Sequence, residues 1–248
     1  TSAVASWDNV QNLVSKWQYV VKPIGAGAPS GTDTLITTDT NVNNPLSNLS
    51  PGTKYNLYVR SVCDDTPGVW GPPTVFTTQC NSAAIPYYTG FTNADATNPE
   101  PCWTVLNLNG DTNQFTFGAS ALDGPVAKLR TNNGESNDYL VTPQFTLDGV
   151  TQKRLRFKYN IYGNWGLKVD NPTDGTGSFE IKYSTTGVDA ENFTEILVPL
   201  TSYTTAYNYI EMDVILPNIA GDINIAWIVP PGSVQPGSLL YIDDVYVD

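Results

Sequence analysis

The sequence has no histidine, only three cysteines and one methionine, and no long apolar run. Without histidine, the chain cannot form a Ser-His-Asp triad, a histidine general base or a histidine-ligated zinc or iron site. A membrane-spanning helix needs about 18 or more consecutive apolar residues, and the chain has none, so we expect no direct membrane insertion. The remaining candidates for chemistry are carboxylates, amides, hydroxyls and aromatic rings.

Charged residues are also scarce, at 15% of the chain against about 25% in an ordinary soluble domain. The 12 Lys and Arg stand against 24 Asp and Glu, which gives a formal net charge of −12. Nucleic-acid binding requires clustered cations to neutralise phosphates, and no such cluster occurs, so we expect no nucleic-acid partner. The 23 Asn and 29 Thr supply much of the polarity, which is typical of extracellular all-β proteins.

The apolar pattern predicts an all-β fold. Segments that alternate apolar and polar residues recur every 8–15 residues and are separated by clusters of Gly, Pro, Asn and Asp, whereas no helical period is sustained. A length of 248 residues corresponds to one or two domains at about 150 residues each. We predict two β-sandwich units, residues 1–79 and 80–248.

Residues 1–79 resemble a fibronectin type III domain. The most specific match is the Leu-x-Pro-Gly-Thr-x-Tyr corner that begins residues 49–62, where Tyr55 should find a backbone partner for its hydroxyl. Residues 4–7 and 17–21 resemble two earlier strands of the family. The resemblance implies an incomplete sandwich that lacks strand A, and hence a fragment of a longer chain in which this unit is a spacer.

Residues 80–248 resemble MAM-like jelly-roll domains of the cleaved-adhesin or choice-of-anchor type, found in large secreted proteins of Bacteroidota. Seven pieces match in order, at residues 86–91, 101–103, 137–143, 154–159, 179–187, 220–227 and 240–247. The resemblance implies an extracellular or cell-surface location and export by the type IX secretion route. It also implies other domains of the same long chain as partners.

An odd number of cysteines in a secreted protein calls for an explanation. We pair Cys80, at the start of the second unit, with Cys102, beside Trp103; closing a loop of this size contributes about 3 kcal/mol. Cys63 would then find its partner before residue 1. The alternative is three free thiols in a reducing compartment.

Calcium needs only oxygen ligands, and the resemblance implies a structural Ca²⁺ that holds the first strand, a loop and the last strand together. The matching positions are Asn93, Asp95, Asp138, Asp243 and Asp244. The acidic loop at residues 170–175, with Asp170 and Asp174, is a weaker second candidate. In both cases the alternative is that these side chains only stabilise turns.

Ligand contact is predicted at a Gly-bracketed aromatic loop, because a core Trp rarely lies between two glycines. The residues are Tyr162, Asn164 and Trp165, and a second aromatic group consists of Tyr203, Tyr207 and Tyr209. The alternative for both is packing. Residues 33–35 resemble the Asp-Thr-apolar motif for O-glycosylation in Bacteroidota, which makes Thr34 a candidate acceptor.

Catalysis has little support in the sequence. A glycosidase needs two carboxyl groups flanking one bond, and the adjacent Asp243 and Asp244 should point to opposite faces of their strand. We therefore predict no enzymatic activity, and a spacer plus a jelly roll that binds glycans or surface proteins in an adhesin. The alternatives are an ancillary module of a secreted protease or glycoside hydrolase, and a purely structural segment of a surface filament.

Overall fold

A computed structural model describes residues 2–9, 14–97, 99–120, 124–131, 136–162, 176–205, 208–232 and 239–248, without the side chains of Tyr162 and Thr176. The chain divides into two compact units, Thr1–Asn81 and Ser82–Asp248. Apart from one turn of 3-10 helix at Ala190–Asn192, the regular structure in these ranges is β. The all-β prediction is therefore confirmed. None of the described residues belongs to a helix long and apolar enough to cross a membrane.

The first unit consists of short strands in two sheets. Its strands are β1 (Ala3–Ala5), β2 (Trp17–Pro23), β3 (Ile36–Thr38), β4 (Asn44–Leu46), β5 (Lys54–Cys63), β6 (Thr66–Pro67) and β7 (Thr74–Thr77). Strands β1 and β4 form one sheet, and the other has the order β3-β2-β5-β6 with β7 also paired to β5. Buried residues from both sheets form one core, at Ala5, Tyr19, Leu46, Leu49 and Tyr55.

The corner before β5 has the hydrogen bond that the sequence predicts. Tyr55 is buried, and its hydroxyl accepts a hydrogen bond of 2.9 Å from the Ser50 N–H. The side chain thereby satisfies a donor in a turn that would otherwise be left without a partner. This contact fixes the direction in which the chain enters its longest strand in the unit.

The second unit is a jelly-roll sandwich of two larger sheets. Its strands are β8 (Tyr87–Thr89), β9 (Thr104–Asn107), β10 (Thr116–Ala119), β11 (Pro125–Arg130), β12 (Asp138–Val141), β13 (Phe145–Asp148), β14 (Arg154–Tyr162), β15 (Thr176–Ser184), β16 (Glu195–Thr204), β17 (Ile210–Ile215), β18 (Ala220–Val229) and β19 (Leu239–Val247). One sheet has the order β10-β11-β19-β14-β17, with β8 also on β19, and the other has the order β16-β15-β18-β12-β9, with β13 also on β18.

Alternating residues of both sheets fill the space between them. In β14, Leu155, Phe157, Tyr159 and Ile161 point inward and are buried, as the period of a strand requires. The centre of the core is Trp227, which is fully buried and stacks on Trp103 with ring centroids 5.9 Å apart. This packing holds the outward-facing residues of each strand at fixed positions.

Candidate functional site

A pocket with both polar and apolar lining groups lies on the outer face of the first sheet of the second unit. Its volume is about 460 Å³, within the range of small-molecule sites. The lining residues come from β10, β11, β19 and the segments next to β10: Thr112, Asn113, Gln114, Thr116, Ala119, Ser120, Lys128, Arg130, Leu239 and Tyr241. We call this set the basic pocket.

Strand register explains why these residues meet. In β11, Ala127 and Leu129 are fully buried in the core, so Lys128 and Arg130 point outward, about 7 Å apart along the strand. Lys128 pairs with Thr116 on one side and with Tyr241 on the other. Three adjacent strands thus place a hydroxyl, an ammonium and an aromatic ring in one row across the floor.

Among the described residues that line the basic pocket, two are cations and none is a carboxylate. The Lys128 Nζ donates a hydrogen bond of 2.7 Å to the carbonyl oxygen of Ala119, which holds the ammonium against β10. Within the described ranges, neither Lys128 nor Arg130 has an ion-pair partner, whereas six other cations do. Those six are Lys16, Lys22, Arg154, Arg156, Lys158 and Lys182.

Asp138 is a buried carboxylate near Asp111, the residue that immediately precedes pocket residues 112–114. It is 0% exposed, it accepts a hydrogen bond of 3.3 Å from the Asn137 N–H at Oδ2, and its Oδ1 has no hydrogen-bond partner. Burial is the main reason that the pKa of Asp138 is raised to about 6. The hydrogen bond from Asn137 lowers this pKa, and the charge of Asp111 raises it further. A buried carboxylate oxygen without a donor is costly and calls for a proton or a cation.

The prediction that Asp243 and Asp244 point to opposite faces is wrong. The register against β14 shifts between Arg156 and Lys158, and Asp244 has a φ of 46°. This β-bulge leaves Ile242 and Val245 both buried while both aspartates lie on the outer side. A bulge inserts one residue into a strand and so breaks the alternation on which the prediction depended.

Asp244 is already engaged by protein groups. Its Oδ1 accepts a hydrogen bond of 2.7 Å from the Tyr88 hydroxyl, and its Oδ2 accepts one of 2.7 Å from the Lys158 ammonium. Burial tends to raise the pKa of Asp244, but the bonds from Lys158 and Tyr88 outweigh burial and hold it below its usual value. A general acid needs the opposite shift, and the ammonium occupies the position that a bound cation would need.

The five predicted calcium ligands are not brought together. Asp138 is in β12 of one sheet and the two aspartates of β19 are in the other, while Asn93 and Asp95 are exposed. The Asp95 carboxylate accepts hydrogen bonds from the N–H and hydroxyl of Thr97. In the described part of the chain, no three His, Cys, Asp or Glu side chains form a group that could hold a metal ion.

The predicted aromatic ligand loop lies largely outside the described residues, as do Asn164, Trp165 and the second calcium candidates Asp170 and Asp174. The backbone of Tyr162, the last described residue before this loop, pairs with Leu239 of the basic pocket. In the second aromatic group, Tyr203 packs on Phe179 with ring centroids 4.6 Å apart. Tyr203 is therefore a packing residue.

Cys80 and Cys102 are disulfide-bonded, as the sequence analysis proposes, and Cys63 is free and exposed at the end of β5. Thr34 is exposed and lies next to Asp33, whose carboxylate pairs with the Lys22 ammonium at 2.8 Å. Glycosylation of Thr34 stays a prediction.

Sequence reasoning missed the basic pocket. Its floor depends on pairing between strands more than 100 residues apart, which no local pattern reveals. One signal was present in the sequence: residues 128–130 read Lys-Leu-Arg, which on a strand puts two cations on one face. The same alternation occurs at residues 154–158, where each cation is in an ion pair, so the pattern alone could not have located the pocket.

Comparisons with known proteins show the fold of the second unit. No family model matches the chain, and no curated protein sequence matches it. The K1 cleaved adhesin domain of the Lys-gingipain of Porphyromonas gingivalis W83 matches with a TM-score of 0.52 at 16% identity, covering 66% of this chain and 98% of that one. The K3 cleaved adhesin domain of the same protein matches with a TM-score of 0.50 at 19% identity, covering 65% and 97%. The second unit therefore shares its jelly-roll fold with adhesin domains.

Proposed function

We propose that the second unit is a non-catalytic, carbohydrate-binding module of an extracellular or cell-surface adhesin-type protein, and that the basic pocket is its binding site. The observation that carries this proposal is the composition of the pocket. Gln114 and Asn113 offer amides, Thr116 and other lining residues offer hydroxyls, and Leu239, beside the buried ring of Tyr241, offers a partly exposed apolar side chain. Such mixed groups match a sugar, which presents many hydroxyls around an apolar face.

The first unit is proposed to be a fibronectin type III spacer, supported by the corner at Tyr55. The combination of a spacer and a binding module also suits an ancillary module of a secreted protease or glycoside hydrolase. A purely structural filament segment would have no use for a pocket of this size.

A glycan array probed with the full chain tests the proposed site. We expect retention of at least one glycan, and weakening of about tenfold in Gln114→Ala, because one or two hydrogen bonds are worth about that factor. Asn218→Ala removes an exposed amide outside the pocket and serves as the matched control. Absence of retention on every glycan would reject the carbohydrate-binding proposal.

A second proposal concerns calcium. The oxygen ligands around Asp138 are of the type that a hard cation prefers. The Asp138 carboxylate has a buried oxygen without a hydrogen-bond donor, and a second carboxylate, that of Asp111, lies near it. Asp244 does not fit, because Lys158 neutralises it. We therefore assign the structural cation to Asp138 and Asp111 rather than to the five residues expected from the sequence. Bound Ca²⁺ would neutralise the two carboxylates there.

The proposed cation would also support the basic pocket. Asp111 immediately precedes Thr112, Asn113 and Gln114, which line the pocket. A cation that ties Asp111 to the end of β12 would restrict this segment and reduce the entropy lost when a ligand binds. The two proposals are thus linked through one short stretch of chain.

A further inference from the structure

The basic pocket carries positive charge, whereas the chain as a whole is acidic. The chain carries a formal charge of −12, yet the described residues of the pocket lining include two cations and no carboxylate. Elsewhere in the described ranges, ion pairs with nearby carboxylates neutralise six cations. Among the described residues, Lys128 and Arg130 have no such partner; Lys54, Arg60 and Lys153 have none either, but they do not line the pocket.

We propose that the basic pocket binds an acidic saccharide, with Arg130 and Lys128 recognising the carboxylate of a sugar acid. This inference rests on the proposed carbohydrate-binding function and specifies its ligand class. The guanidinium of Arg130 offers a planar fork that matches a carboxylate with two parallel hydrogen bonds. The Lys128 ammonium has three N–H donors, of which one is directed to Ala119.

The positions of the two cations agree with this assignment. Both lie on β11, two residues apart and on the same outward face, because Leu129 between them is buried in the core. Arg130 is paired with Leu239 and Lys128 with Tyr241 across the sheet, so each cation lies next to an apolar or aromatic side chain. A sugar ring against Leu239 would direct a ring substituent toward both cations.

Neutral groups complete the site for a sugar rather than for a simple anion. Thr116 lies in the same row as Lys128, and the amides of Asn113 and Gln114 line the pocket. These groups can both donate and accept hydrogen bonds, as ring hydroxyls do. A free inorganic anion would leave most of them without a partner.

Matched acid and ester probes test the proposal on the unaltered chain. Glycans that end in or contain uronic or sialic acids are compared with their methyl esters by calorimetry, and free sugar acids form a separate arm. We expect at least one acid glycan to bind about tenfold or more tightly than its ester, because the ester has lost the charge. Binding of the free sugar acid would show that a single monosaccharide is recognised, whereas binding only of the glycan would show that neighbouring sugars are also needed. Equal binding of acid and ester would overturn the acidic-ligand proposal while leaving carbohydrate binding intact.

Variants of the two cations then locate the effect. Arg130→Gln and Lys128→Gln should each reduce the affinity for the acid form about tenfold more than the affinity for the ester, so that the acid preference is lost. Lys54→Gln makes the same change in net charge at an exposed residue of the first unit and should have no effect. Lys128 also donates a hydrogen bond to Ala119, so Lys128→Gln could disturb the fold. If it does not fold, Arg130→Gln alone tests whether the cations cause the acid preference. An acid preference that survives in Arg130→Gln would overturn the assignment, and failure to bind any glycan, neutral or acidic, would reject the parent proposal instead.

Discussion

The side-chain amide of Asn107 donates a hydrogen bond of 2.7 Å to the carbonyl oxygen of Asp111. Its oxygen accepts a second bond, of 3.0 Å, from the Gly110 N–H. Gly110 has a φ of 68°, a conformation that suits glycine. One side chain at the end of β9 therefore closes the turn from which the segment at residues 112–114 enters the basic pocket.

Removing this closure should loosen the pocket. We expect Asn107→Ala to lower the free energy of unfolding by about 1–2 kcal/mol, because two hydrogen bonds are lost, and to weaken glycan binding as well. Chemical denaturation and calorimetry on the same samples measure both effects. Asn218→Ala, at an exposed amide, is the control; a ligand affinity equal to that of the unaltered chain would show that the turn does not organise the pocket.

Calcium should stabilise the second unit. At a free concentration 100 times the dissociation constant, a bound ion contributes about 2.7 kcal/mol, which corresponds to roughly 5 °C or more in Tm for a domain of this size. We expect this increase in CaCl₂ relative to EDTA, and expect Asp138→Asn to abolish it. Asp148→Asn, on an exposed turn, should keep the response. An identical Tm in CaCl₂ and EDTA would contradict the cation site.

Stability in EDTA should fall as pH rises. The folded chain holds the Asp138 proton up to a pKa of about 6, against an ordinary value of 3.8, so it binds more protons than the unfolded chain between these values. Stability must then decrease with rising pH across this interval, by about 3 kcal/mol in total if the site stays dry. The free energy of unfolding measured from pH 4 to 7 gives the slope.

Two variants separate this effect from other titrations. Asp138→Asn is neutral at every pH and should remove the decline between pH 4 and 6. Asp148 has the opposite behaviour, because hydrogen bonds from the N–H groups of Thr151 and Val150 lower its pKa to about 2. Asp148→Asn should therefore leave the decline intact. A flat profile in the unaltered chain would mean that Asp138 is not held in its protonated form.

The tyrosine corner should contribute measurably to the first unit. Tyr55→Phe removes the acceptor that lies 2.9 Å from the Ser50 N–H, and the loss of this part-buried hydrogen bond costs about 1 kcal/mol. Tyr58→Phe removes the same atom from another buried tyrosine of β5 and is the matched control. Thermal unfolding of both variants gives the comparison, and equal losses would argue against a special role for the corner.

The sequence was sufficient for the fold class but not for the site. Alternation in β14 and the corner at Tyr55 depend on neighbours in the chain, so local patterns predicted them. The bulge at Asp244 depends on register with β14, a strand about 90 residues away, and could not be predicted. The basic pocket likewise needs β11 beside β19, and only pairing between distant strands shows that Arg130 lies next to Leu239.

The two cations of the pocket lie in a chain with a formal charge of −12, and this combination reverses the usual effect of salt on association. An acidic glycan at long range meets net repulsion, and it meets attraction only near the pocket. Because screening acts beyond about 10 Å at 0.1 M ionic strength, added salt weakens the repulsion first. The association rate should thus rise with moderate salt, instead of falling as for a basic protein. Densely charged polyanions would be repelled along their whole length, so the proposed acidic-saccharide site should prefer sugars whose acidic groups are sparse.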